Sequence, residues 1–124
     1  MALAKNVMAG AHMSGLAAQG VNGNNIASGV TAAGTTQATA TVLTADVNVV
    51  TTATSLQGVS VYNGLLGDSQ IVYNATTVPI YVYPPLATAQ INQLAAGAGF
   101  VLAPYTAAWI VSITSLKDVA FLSA

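Results

Sequence analysis

Charge is nearly absent from this chain, and no other property narrows its possible folds as much. Five of 124 residues carry a formal charge, Lys5, Asp46, Asp68, Lys117 and Asp118, while 54% of the residues are apolar and Arg and Glu are missing altogether. A compact monomer of this size exposes roughly 6,000 Å². Five charged side chains cover a small part of that, so neutral and apolar groups cover the rest. Small domains that stay apart in water usually carry about a quarter to a third charged residues on their surface, and near-zero net charge promotes association. Uncovered apolar surface of this extent marks contact with partners. The composition therefore predicts one domain that buries part of its surface against other chains. It argues against disorder, which goes with low hydrophobicity and high charge. With no basic patch for phosphates, nucleic acid is excluded as a partner.

The remaining polar residues are mostly Thr, Ser, Asn and Gln. Thr suits a pleated strand because of its branched Cβ. There is no cysteine, hence no disulfide and no thiolate chemistry. No run approaches the ~20 apolar residues of a membrane helix. The longest candidate, Val101 to Ile113, is interrupted by Pro104. Lys5 followed by Val7–Ala11 has a little of the pattern of a secretory signal, but His12, Ser14 and repeated Gly dilute it, so no cleaved signal and no membrane partner are expected.

Residues 1–33 stand apart, with all three Met, the single His and many Gly and Asn. They read as an N-terminal arm. Val7 to Gln19 is a marginal helix within it, weakened by Gly10 and Gly15 at about 1 kcal/mol each. From residue 34 to 124 the pattern changes to period two. Strands are predicted over Ala38–Val42, Val47–Thr52, Val59–Tyr62, Gln70–Tyr73, Ile80–Tyr83, Phe100–Leu102, Ala108–Ile113 and Val119–Leu122. Asn63-Gly64 reads as a hairpin turn, since both residues tolerate positive φ. Gln90 to Ala95 forms at most one helical turn. About eight short strands near ten-residue intervals predict an all-β fold, a small sandwich or barrel of jelly-roll type. Its edges have four prolines and almost no Lys to protect them, a second reason to expect neighbouring subunits.

Little in the chain carries chemistry. His12 lies in the Gly-rich arm, where imidazole is poorly held, and no Gly-x-Ser-x-Gly elbow accompanies it. Asp46 and Asp68 read as turn residues and Lys117-Asp118 as a polar hairpin tip. Three scattered Asp and one His do not make a metal site. Gly97-Ala98-Gly99 starts like a dinucleotide fingerprint, but Leu102 fills the third glycine position and no strand–helix–strand unit surrounds it. Asn74-Ala75-Thr76 is a formal glycosylation sequon. Tyr81 and Tyr83 share one strand face, which reads as core or interface filling with hydroxyls at the rim. No catalytic residue and no cofactor are expected; the chain reads as a structural protein rather than an enzyme.

Several strings recur in a familiar order. Gly34-Thr35-Thr36-Gln37-Ala38-Thr39-Ala40 leads into Leu43-Thr44-Ala45-Asp46-Val47-Asn48-Val49-Val50-Thr51-Thr52, followed by Val72-Tyr73-Asn74-Ala75, Tyr81-Val82-Tyr83-Pro84-Pro85 and Ile91-Asn92-Gln93-Leu94. From about Gly34 to the C-terminus this resembles small tailed-bacteriophage proteins of the head decoration, capsid cement or head fibre type. The chain is more neutral than such relatives at Val59-Ser60-Val61 and at Ala103-Pro104-Tyr105-Thr106. The resemblance implies a compact β-domain that forms homotrimers on the outer surface of the virion capsid and binds the major capsid protein. The arm before Gly34 matches less well and takes no residue from the family; from its own sequence, Val7, Met8, Met13 and Leu16 are expected as arm contacts, and Tyr81 and Tyr83 as capsid or trimer contacts. The alternative expectation is a trimeric head or tail fibre that uses its aromatic residues to bind a host-surface receptor. A cell-wall hydrolase relying on His12, or a secreted adhesin with a cleaved leader, would be further readings of the same composition.

Overall fold

The computed structural model describes residues 25–123 as an all-β fold of ten strands in two sheets. The chain alternates between the sheets. Strands β1 (Ile26–Thr31), β3 (Val47–Thr52) and β5 (Ser69–Asn74) run parallel in the larger one. Strands β2 (Thr41–Val42), β4 (Gly58–Ser60) and β6 (Ile80–Tyr83) run parallel in the smaller one. Each successive pair is one turn of a short β-solenoid. Ile26 pairs with Val47 and Val47 with Ile71, so the rungs are 21 and 24 residues long. After three turns the direction reverses. β8 (Phe100–Leu102) closes the small sheet antiparallel to β6. β9 (Ala107–Thr114) runs antiparallel to β5, and β10 (Lys117–Leu122) returns antiparallel to β9. The two-residue β7 (Gln90–Ile91) lies outermost, beside β10.

The core fills the space between the sheets. Val50, Val59, Val72, Ile80, Val82, Leu102 and Ile110 are among its members, with Ala32 and Leu43, which directly follow β1 and β2. Each such aliphatic side chain contributes about 1.5–3 kcal/mol by leaving water. Where the chain turns from one sheet to the other, backbone groups lose their ladder partners, and buried amides replace them. Asn48 donates from Nδ2 to the carbonyls of Ala45 (2.8 Å) and Ile71 (3.2 Å). Asn74 donates to the carbonyls of Val78 (2.8 Å) and Leu102 (3.1 Å), while its Oδ1 accepts from Thr76 N–H and Oγ1–H. Gln70 mimics a backbone unit, accepting from Tyr62 N–H at 3.1 Å and donating to Tyr62 C=O at 3.2 Å.

The all-β expectation therefore holds, but the jelly-roll arrangement of about eight strands does not describe this stacking of parallel rungs. Asn63-Gly64 forms no hairpin, because β4 and β5 belong to different sheets. Neither residue adopts positive φ; the left-handed position falls at Gly67, with φ of 84°. The predicted strand over Ala38–Val42 shrinks to Thr41–Val42, with a turn before it. Two strands went unforeseen. β1 lies inside the stretch read as arm, so the sheet begins before residue 34, and β7 replaces the expected helical turn at its first two residues. The helix expected over Val7–Gln19 lies outside the described residues.

Candidate interaction surface

The outer face of the large sheet is built by strict alternation. In β9, Ala108, Ile110 and Ser112 point into the core, which turns Ala107, Trp109, Val111 and Ile113 outward. Pairing register then aligns side chains from strand to strand. Ile26, Val47, Ile71, Trp109 and Phe121 are consecutive partners across β1, β3, β5, β9 and β10 and form one straight row. Val49, Tyr73 and Ala107 form the row on one side, and Ser69, Val111 and Val119 the row on the other. No residue in the three rows is charged. Ile26 is 62% exposed, Trp109 50% and Phe121 54%. The Trp109 and Phe121 rings lie 5.4 Å apart between centroids at 35°, a tilted pair standing on the open face. A sheet this rich in parallel pairing is ordinarily covered on both sides. Here the core covers one.

Among the described residues, the four charged ones sit at one end of this sheet. Asp46 precedes β3, Asp68 precedes β5, and Lys117 and Asp118 begin β10, three strands that run in the same direction. Asp68 behaves as a turn residue, its carboxylate accepting from Leu65 N–H at 2.8 Å. Tyr62 lies close to both acids. Burial, then the charges of Asp46 and Asp68 and a hydrogen bond to Asp46, push its pKa up to about 12, so its phenol stays protonated. Lys117-Asp118, read as a polar hairpin tip, directly follows the Ser115-Leu116 turn of the β9–β10 hairpin, but Asp118 is buried there at 4% exposure. Burial raises its pKa, a hydrogen bond with Ser112 opposes that, and its Oδ2 has no partner.

The other sequence candidates find plain places. Tyr81 and Tyr83 stack 5.6 Å apart on the outer face of the small sheet. Tyr83 is buried there over Gly58 and Gly99, and its hydroxyl donates to Thr35 C=O at 2.8 Å. Its pKa is raised by that burial and by Tyr81. Packing is thus what this pair does within one chain. Asn74 is fully buried with its amide engaged, so the sequon is closed to modification in the folded state. Gly97 lies in a turn and Gly99 just before β8, which is antiparallel to β6, so no strand–helix–strand unit surrounds them. Among the described residues no group of three or more His, Asp or Glu is placed to hold a metal ion. Val7, Met8, His12, Met13 and Leu16 lie outside them. Trp109 and Phe121 were not singled out in the sequence; the one available signal was Ala107–Ile113, where both alternating sets are largely apolar. No family model, curated protein or solved structure matches the chain.

Proposed function

We propose that this chain is a virion structural protein, a capsid cement or decoration protein that forms homotrimers on the outer surface of a tailed-phage head and stabilises the shell. The observation that carries the reading is the uncharged, five-strand apolar face on a chain with almost no charge to keep it solvated. The resemblance of the ordered strings from Gly34 onward to those of phage head proteins suggests the viral setting. In this role the solenoid body serves as a rigid block, since each rung is pinned to the next by a parallel ladder and buried corner amides. A trimer of such blocks engages several capsid subunits at once, and repeated weak contacts gain strength from multivalency. No step of bond making or breaking is involved.

The test is the copy number of the chain in purified virions, measured by quantitative mass spectrometry against the major capsid protein. A ratio approaching that of the shell protein is expected, because the lattice alone offers so many sites. A ratio of a few per cent would turn the reading to a receptor-binding fibre, and absence from the particle would end it.

A further inference from the structure

We infer that the outer face of the large sheet is the self-association surface, and that three copies meet with these faces turned inward as the walls of a triangular prism around the threefold axis. The inference deepens the homotrimer of the proposed function and rests on it.

A second copy of the chain is the occupant that the face fits. Its three rows hold no charge, so nothing on it selects a charged partner. The size is right as well. Five strands about 4.8 Å apart make a wall roughly 24 Å wide, and six-residue strands make it roughly 20 Å tall, about 480 Å² in plan. That is the scale of the largest, commonly functional patch on a monomer, about 300–600 Å². At the end where the charges sit, Gly67 N–H bonds to Ser112 C=O at 2.8 Å, so the exposed loop carrying Leu65 and Leu66 borders the uncharged rows there together with Asp68.

Width and side-chain size together select three copies over two. Walls roughly 24 Å wide stand about 7 Å from a common threefold axis, against about 5 Å from the mid-plane when two sheets pack face to face. The added depth needs bulk at the middle of the wall. Ile71 on the central strand β5 and Trp109 on its neighbour β9 supply it. At each corner the aromatic margin of one wall, Phe121 on β10, meets the aliphatic margin of the next, Ile26 on β1. Such unlike contacts are those that close a ring rather than a two-fold pair. β7 does not intrude, since it pairs with Lys117 and Asp118 at the charged end and stops short of the row.

The single tryptophan makes the inference directly readable. The full-length protein is diluted in steps while sedimentation velocity reports its mass and fluorescence reports the Trp109 environment. The expected result is a trimer with the blue-shifted emission of a buried indole, turning red as dilution releases monomers. Ile71→Lys places an unpaired cation in the middle of the wall. It is expected to weaken association at least about 100-fold and to leave a monomer with red emission and an unchanged far-UV CD spectrum. Val101→Lys, exposed on the small sheet, is expected to remain a trimer. If Ile71→Lys disturbs the spectrum, Phe121→Ser at the exposed margin serves in its place with the same expected outcome. A trimer that survives these changes with its emission unmoved overturns the face while leaving the homotrimer intact. A two-fold dimer overturns the prism. A wild-type monomer at every concentration overturns both, and copy number in virions still judges the viral reading separately. A monomer whose buried emission turns red on deletion of residues 1–24 would give the face to that segment instead.

Discussion

Asn74, the last residue of β5, has every donor and acceptor of its side-chain amide in use where the chain leaves the large sheet. Asp118, also buried, has one oxygen with no partner. The two show what a buried polar group does when it is fully matched and when it is not. Because burial raises the Asp118 pKa in the fold, the native state holds the proton over a pH range in which the unfolded chain has lost it. The contribution of this group to stability is therefore full below the unfolded carboxylate pKa, near 3.9, and declines as pH rises through the raised native value. Asp118→Asn keeps the shape and removes the charge. It is expected to raise stability at pH 7 by on the order of 1 kcal/mol and to flatten the part of the stability–pH profile just above pH 4, as thermal melts across that range would show.

Strand β6 and the glycines around it belong to the next scale. Tyr83 lies where a Cβ at Gly58 would meet the Tyr83 ring, and where a Cβ at Gly99 would come within 2.8 Å of both that ring and Val82 C=O. The two glycines are thus required for different reasons, one by a side chain and one also by backbone. Gly58→Ala is expected to cost about 2 kcal/mol, and most of that cost should vanish in a Tyr83→Ala background. Gly99→Ala is expected to keep its cost in that background. A double-mutant cycle by urea unfolding checks both. These elements also show where the sequence was readable. β6 and β8 fall on Ile80–Tyr83 and Phe100–Leu102 as expected, because branched and aromatic residues end there at Pro84 and Ala103-Pro104. β1 escaped notice because Ala27-Ser28-Gly29 offers no alternation; parallel pairing with β3 makes it a strand. Asn63-Gly64 misled for a matching reason: turn propensity is local, whereas the choice of sheet after the turn depends on partners far along the chain. The candidate face was hidden in the same way. Its alternating residues are visible one strand at a time, but only register aligns five of them into a row.

At the scale of the molecule, the body and the residues before it divide the work in the proposed reading, with the solenoid associating and the first segment reaching the capsid through Val7, Met8, Met13 and Leu16. Removal of residues 1–24 is expected to leave a folded trimer that no longer co-sediments with expanded heads; retained binding would move the capsid contact onto the body. Stacked rungs also give the chain a particular freedom in how it changes length. A piece of arbitrary size inserted in a sandwich disturbs its pairing, but a solenoid accepts one more complete coil between its first turn and its antiparallel cap, with every neighbour contact repeated. Related chains should then differ in steps of some twenty residues, most readily between β3 and β5, whose rung is 24 residues long. Each step would widen the sheet by one strand and enlarge whatever space three such sheets enclose, so that the number of turns acts as a gauge for the bore of the assembly.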